Sequence, residues 1–513
     1  MYLANSHYFI RPIKLLLLTT CCVAAFFIWE GHLGIDLTDE GFVWYGARMV
    51  NQGRVPIRDF YAYDPGRYYL TAWIMQFFGD DGLITSRIAE ALMQGLGLFL
   101  ALLMLSPLLK FDKKFNFICL LFTALILLIW MVPLYKSFDI TSSIALIAIL
   151  TYLIEVNTLK AIFWSGFCIS IIAIMGRNHG LYGSLANTGV LIYLYLHERR
   201  YPIFSMQKWW LAGLSVGYIP LFLMMLLIPG FGPAFVDSVL FLFRDKATNM
   251  HFPIPWHWYA SSLQGFITCL FFMAVFLFGL YGFLRVCFTK NRKLPALFIA
   301  CAFLALPYAH YVYARADVYH LALGIFPLLI SLFTYLYLKV QSKYMLLVSF
   351  STLFILSAVV ISPLHPSVRA YQDKNWEVVD IRGDKIKIDY HARTKIELFK
   401  RLIAQYAENG QPFLVAPFNF IMHPIFDRES PMWDIYPFFM RSAKEQAADI
   451  ARIEKANPGL IVIYDEALDG VAERSFHYTH ALIFKYIAEH YEIIHDDSVG
   501  PDTYIYKIKK TEV

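Results

Sequence analysis

A stretch of about 20 apolar residues crosses a hydrocarbon core as a helix, because only a helix or a closed barrel satisfies its own backbone hydrogen bonds there. On that criterion the sequence holds about eleven spans: 13–30, 84–109, 115–134, 140–156, 161–175, 181–196, 209–229, 263–286, 294–313, 320–338 and 344–362. Composition agrees, since 58% of the 513 residues are hydrophobic and only 16% charged, against about a quarter charged in a soluble average. The formal charge of +5 is scattered through short loops and forms no basic face, which argues against a nucleic-acid partner. All seven cysteines fall in or beside apolar runs, without CxxC or zinc spacing, so neither a disulfide framework nor a cysteine metal site is expected. Thr20 before Cys21 replaces the small residue of a lipoprotein cleavage site, so the first run reads as a retained anchor.

Loop charge orients the spans. Arg11 and Lys14, then "LKFDKKF", "TLK", "HERRYPIFSMQKWW", "RVCFTKNRK" and "LKVQSKY", are basic and nearly free of acids, and so are read as cytoplasmic. The alternate loops mix Arg with Asp and His. An odd number of spans places the N-terminus in the cytoplasm and the C-terminus outside. The expectation is a multi-pass protein of a bacterial inner (cytoplasmic) membrane, with a transmembrane domain over 1–363 and a periplasmic or extracellular domain over 364–513.

After Pro363 the pattern changes to that of a small soluble α/β domain. "WEVVDIRGDKIKID" alternates about a turn and predicts a hairpin. "PFLVAP" and "GLIVIYD" predict buried strands, with "SAKEQAADIARIEKANPG" as the helix between them. "THALIFKYIAEHY", "EIIHD" and "TYIYKIKK" complete it as helix, strand, strand.

The first outer loop, "IDLTDEGFVWYGARMVNQGRVPIRDFYAYDPGRYYLTAW", is the most polar stretch beside the spans. Residues 39–52 and 66–78 have helical patterns but are too short to span, so both are expected to lie along the membrane interface. Between them "RVPIRDFYAYDPG" is a Pro-punctuated connection carrying Arg54, Arg58, Asp59 and Asp64.

A first span, then Asp39-Glu40 on an amphipathic helix, "NQGRVPIRDFYAYDPGRYYL" and a second span: this order resembles the polyprenol-dependent glycosyltransferases of the GT-C superfamily. It is nearest the bacterial branch related to protein O-mannosyltransferases and aminoarabinose transferases. The resemblance implies a polytopic α-helical GT-C-like fold of about 11 transmembrane helices with two juxtamembrane helices in the first outer loop, plus a small C-terminal α/β domain. It also implies an acidic residue of the Asp-Glu motif as catalytic base. The specific motifs are confined mainly to Asp39 through Tyr69.

The chemistry points the same way. Transfer of a hexosyl or pentosyl group from a lipid phosphate needs one carboxylate to take the proton of the attacking hydroxyl. The phosphate departs unprotonated, whereas a glycosidase usually needs two facing carboxylates. Asp39 is the candidate base, with Glu40 positioning Asp39, a sugar hydroxyl or a metal, and Asp59 the other candidate carboxylate. A bland reading stands beside this, because Asp36, Asp39 and Glu40 open a helix, where acids favour the macrodipole without catalysis.

Cations for the donor phosphate are sought in the outer loops. "YARADVYH" supplies Arg315, Asp317 and His320, "GRNHG" supplies Arg177 and His179, and Lys136, near Asp139, and Arg58 complete the set. Arg244 with Lys246 is a weaker pair. A divalent metal is possible on His179, His310, His320, Asp39 and Glu40, yet no local ligand motif supports one. The expected partners are a polyprenyl-phosphate sugar, a glycan, lipid or protein acceptor of the envelope, and membrane lipids. The alternative is a transporter or flippase for a lipid-linked glycan, although no internal repeat is visible.

Overall fold

The computed structural model describes residues 12–241, 254, 261–289 and 294–509. Arg11, Arg244, Lys246 and the basic residues of 290–293 lie outside the described residues. In chain order the helices begin with α1 (Pro12–Glu30), α2 (Asp39–Asn51), α3 (Pro65–Phe78), α4 (Leu83–Leu105), α5 (Lys113–Trp130), α6 (Ser137–Val156), α7 (Leu159–Met175) and α8 (Arg177–Glu198). They continue with α9 (Ile203–Gly217), α10 (Ile219–Leu227), α11 (Phe231–Phe241), α12 (Leu263–Phe288), α13 (Ala296–Ala314), α14 (Val318–Gly324), α15 (Phe326–Lys339) and α16 (Lys343–Ile361). The remainder is α17 (Pro366–Gln372), β1 (Glu377–Ile381), β2 (Asp384–Ile388), α18 (Tyr390–Tyr406), β3 (Phe413–Ala416), α19 (Met422–Ile425), α20 (Ala443–Ala456), β4 (Leu460–Tyr464), α21 (Phe476–Thr479), α22 (Ala481–His490), β5 (Tyr491–Ile494) and β6 (Thr503–Ile508).

Each apolar segment expected to span is helical. Among the described residues seven helices, α1, α4, α5, α6, α12, α13 and α16, are long and apolar enough to cross a membrane. The pairs α9–α10 and α14–α15 pass the same test together, bent by 50° and 53°, which brings the count to nine. Helix α7 is apolar but has only 17 residues. Helix α8 opens on Arg177-Asn178-His179, which lowers its hydropathy. The chain is a multi-pass membrane protein.

The chain separates into two compact units. The first comprises Met1–Gly31, Arg87–Leu223 and Met250–Arg369, as far as these are described, and holds the spanning helices. Its core is continuous through Leu98, Leu120, Ile144, Leu191, Leu304 and Phe350. Helices α7 and α9 approach backbone to backbone, since a Cβ on Gly213 would fall 2.0 Å from the Phe163 carbonyl oxygen, the small-residue contact that lets helices pack in lipid.

The second unit comprises His32–Ser86, Met224–Asn249 and Ala370–Val513, again as far as described. The soluble domain expected from residue 364 onward therefore forms one unit with the first outer loop. Its four-stranded sheet has the order β3-β4-β6-β5. Strands β3 and β4 are parallel, with Val415 opposite Val462, and are buried along their whole lengths, as a strand covered on both faces must be. The crossover α20 starts on a capping box between Ser442 and Glu445. The expected hairpin is β1–β2, turning at Arg382 and Gly383, which adopt φ of 55° and 93° as a tight two-residue turn requires. Residues 32–34 join its edge: the Gly34 amide donates to the Lys387 carbonyl at 2.8 Å and the Lys387 amide to that of His32 at 2.9 Å.

Helix α3 keeps one face outward, exposing Tyr69, Trp73, Phe77 and Phe78, and so retains the amphipathic character expected of it. Helix α2 does not lie open along an interface as expected, because Glu40 through Met49 are all buried. The cause is Arg48. Its guanidinium donates to Asp81 Oδ2 at 2.8 Å, to Asp427 Oδ1 at 2.5 Å and to the Pro424 carbonyl at 3.2 Å. Arg382 bridges the same two carboxylates at 3.2 Å each. Four charges thus tie α2, the turn after α3, the hairpin turn and the loop after α19. Trp44 adds a bond from Nε1 to the Asp81 carbonyl at 2.8 Å.

Burial opposes ionisation of Asp81 and Asp427, but the two guanidiniums outweigh it and hold both carboxyls below their ordinary value of 3.8. A depressed carboxyl stabilises the fold above that ordinary value, and the contribution is lost as pH falls below it. Arg48→Ala should cost the second unit about 2–3 kcal/mol, less than a fully buried pair because the partner carboxylates are half exposed. The measure is earlier proteolysis of the C-terminal domain in denaturant, together with a flatter loss of stability below about pH 4.

Candidate functional site

The candidate residues fall into two clusters, one in each unit. In the second unit, Asp36 lies just before α2, and Asp39 and Glu40 open it. Asp36 Oδ1 accepts from the Asp39 amide at 2.6 Å and from the Thr38 amide at 3.0 Å, the work of a helix cap. Glu40 Oε2 reaches back to the Asp36 amide at 3.1 Å. Asp36 and Glu40 therefore close the turn that leads into α2. Asp39 itself is half-buried.

This turn is fixed from outside as well. The Ile421 amide donates to the Leu37 carbonyl at 3.1 Å, and the Asn419 amide to Thr38 Oγ1 at 3.2 Å. Gly41 is needed there, since a Cβ would fall 2.7 Å from Ile421 Cα. Phe42 stacks on Phe420 at 5.1 Å.

Although Asp36 is only half-buried by surface, the surrounding protein and then the charge of Asp39 push its carboxyl up to about 6, against the amides it accepts from. Sequence reasoning left Asp36 out of the site. Its spacing of three residues before Asp39 was the available signal. Tyr63 was missed too. Burial, then Tyr436, then the Asp39 charge raise its hydroxyl well above 10.0, which places a phenol in the electrostatic reach of Asp39. Nothing in sequence links Tyr63 to Tyr436, whose rings lie 5.7 Å apart.

The aromatic loop "HPIFDRESPMWDIYPFF" packs on this segment. The Tyr61 amide donates to the Trp433 carbonyl at 2.8 Å, Trp433 Nε1 to the Ile57 carbonyl at 3.1 Å, and the Ser430 amide to the Tyr45 hydroxyl at 3.0 Å. Arg441 holds the loop by pairing with Asp434 and lying over the Phe241 ring at 4.0 Å and the Tyr61 ring at 5.3 Å. Burial resists the charge on Asp434, but Arg441 and His480 hold its carboxyl down at about 2.

Asp59 is engaged differently. The Arg58 fork donates to it at 2.8 and 2.7 Å, and the Val55 amide at 2.8 Å. Desolvation is outweighed by this fork, so Asp59 sits below the usual carboxylate range and is a weak base. Arg58 also donates to the Pro229 carbonyl at 3.3 Å.

In the first unit, Lys136 precedes α6, with its ammonium 5.5 Å from the Tyr135 ring centroid, and Arg177 opens α8. His179 is 1% exposed. Its Nε2 lies 3.0 Å from Asp139 Oδ1 and its Nδ1 2.7 Å from the Tyr308 hydroxyl. Both ring nitrogens are taken up by protein, so the direct phosphate contact expected of His179 is replaced by a bond between elements. Asp317 caps α14, accepting from the His320 amide at 2.8 Å and lying 2.9 Å from His320 Nδ1, while Arg315 Nε lies 3.3 Å from its other oxygen. Arg315, Asp317 and His320 are thus brought together. His310 meets the Tyr182 hydroxyl at 3.2 Å.

Among the described residues no group of three or more His, Cys, Asp or Glu is placed to hold a metal ion, so His179, His310, His320, Asp39 and Glu40 do not form the ligand set considered above.

No family model and no curated protein matches the sequence. Among solved structures, the chain is similar to the oligosaccharyltransferase of Archaeoglobus fulgidus in its apo form, with 11% identity and a TM-score of 0.43 over 98% of this chain and 75% of that one. It is similar to AglB of the same organism in complex with an inhibitory peptide and a dolichol-phosphate, with 14% identity and a TM-score of 0.39 over 98% and 74%. It is also similar to ArnT from Cupriavidus metallidurans in the apo state, with 11% identity and a TM-score of 0.49 over 96% and 97%. Identities this low carry no residue-by-residue correspondence.

An Asn at 36 keeps the oxygen that caps α2 and loses the charge. A carboxyl raised to about 6 stabilises the fold below its unfolded value, and that stability is lost as pH rises through the folded one. Asp36→Asn should therefore remove the part of the wild-type fall in thermal stability that occurs between about pH 4 and pH 6. Parallel wild-type and mutant melting curves across that range would count against the assignment.

Proposed function

We propose that the chain is a polyprenyl-phosphate-dependent glycosyltransferase of the GT-C kind. It moves a hexose or pentose to a glycan, lipid or protein acceptor on the outer side of a bacterial inner membrane, with Asp39 as general base. The observation that carries this reading is the first turn of α2. Asp36 and Glu40 accept the amides that shape the turn, and Asp59 is clamped by Arg58. Asp39 opens a helix whose entry is pinned by residues 419–421, and it is the first carboxylate of the Asp39-Glu40 motif.

In the proposed step the acceptor oxygen attacks C1 of the sugar and its proton passes to Asp39. The bond from C1 to the phosphate oxygen breaks, and the lipid phosphate leaves with the electron pair and no proton. A lipid phosphate calls for cations, and the candidates for it in the first unit are Lys136, Arg177 and Arg315. Lys136 and Arg177 stand at the N-termini of α6 and α8, where helix dipoles also favour an anion. The α5–α6, α7–α8 and α13–α14 connections that bear these cations belong to the alternate loop set opposite the basic cytoplasmic one, which supports an outer active side.

In proteoliposomes given a labelled polyprenyl-phosphate sugar and envelope acceptors, Asp39→Asn should lower transfer about 10²–10⁴-fold. Asp59→Asn should lower it less than about tenfold, as expected of a group that only orients its neighbour. Full activity of the Asp39 variant would sink the base assignment. Glycan movement across the bilayer without any transfer would favour the flippase.

A further inference from the structure

We infer that His179 is a positioning residue of the donor-phosphate site, a buried clamp that fixes the cation-bearing ends of α6 and α8 against α13. The inference rests on the proposed function and deepens it. Asp139 is the third residue of α6 and lies just after Lys136. His179 is the third residue of α8 and lies just after Arg177. The bond between them, 3.0 Å from Nε2 to Oδ1, joins the two first turns directly. Tyr308, fully buried on α13, completes the clamp at 2.7 Å from Nδ1.

An ionised carboxylate only accepts, so with Asp139 ionised Nε2 of His179 donates to it. Nδ1 and the Tyr308 hydroxyl share the second bond, so both ring nitrogens are engaged by protein. The chain continues outward from the clamp. The Tyr311 ring, one helical turn after Tyr308, lies 5.9 Å from the His179 ring and 5.8 Å from that of His320. His320 is held by Asp317, which also faces Arg315. One imidazole thus has bonded or ring contacts with every element that carries a donor-site cation of this unit.

A buried group that bridges two turns acts on a ligand through geometry, and a shift of about 1 Å in such a frame costs up to 10²-fold. The test is binding of a long-chain polyprenyl phosphate to the full chain in nanodiscs, with thermal melting recorded on the same samples. Wild type should bind saturably, and His179→Phe should weaken binding about tenfold or more. Tyr308→Phe removes one oxygen and keeps the ring, so it should shift binding in the same direction by a smaller factor in a folded protein. His179→Gln offers both a donor and an acceptor and should recover most of the affinity. Lower melting temperatures with an unchanged dissociation constant in the Phe variants would overturn the clamp and leave the proposed function standing. Absence of saturable binding by wild type would overturn the donor reading, and the clamp with it.

Discussion

The guanidinium of Arg48 decides where the first outer loop belongs. A helix with a buried arginine must supply that charge with partners, since desolvation costs several kcal/mol per ion. Asp81, Asp427 and the Pro424 carbonyl meet its three donor directions, and two of these come from the far end of the chain. Once α2 is drawn in this way, Trp44, Ala47, Ala72 and Met75 share one core with Ile386, Phe399 and Val415. The polar site follows from the same placement, because Leu37, Thr38 and Gly41 then meet residues 419–421.

Both candidate clusters use the first turns of helices, but in opposite ways. In the second unit Asp36 accepts the Thr38 and Asp39 amides and Glu40 accepts the Asp36 amide at the start of α2. In the first unit the turns of α6 and α8 bear cations, and a histidine and an aspartate join them beneath. Each arrangement thus sets charged side chains on or beside the first turn of a helix.

Much of this was legible in the sequence, for identifiable reasons. Span-length apolar runs, the alternating hairpin around Arg382-Gly383 and the helix of "SAKEQAADIARIEKANPG" are local signals, and the structure keeps each of them. The pairing of Asp317 with His320 was legible because they are three residues apart, about one helical turn. The enclosure of α2 was not, since its amphipathic pattern fits an interface as well as a core, and only Asp427 and Pro424, remote in sequence, distinguish the two. His179 was expected to meet a ligand and instead meets protein on both ring nitrogens. A histidine between glycines suggests an open ligand site, whereas Asp139 and Tyr308 close both its ring nitrogens, and neither position can be paired with it from one sequence.

The joining of residues 32–86 to the last part of the chain also sets an order of events during synthesis. Helix α2 leaves the ribosome early, yet the strand edge at Lys387 that receives Gly34, the carboxylate of Asp427 and the backbone of Ile421 are made last. Until then a charged, half-apolar helix waits without its cover while the bundle is threaded into the bilayer. A nascent chain of this design therefore carries its most polar segment as unfinished business across nearly its whole translation, and a premature stop anywhere before the last domain leaves that segment exposed to proteases and chaperones.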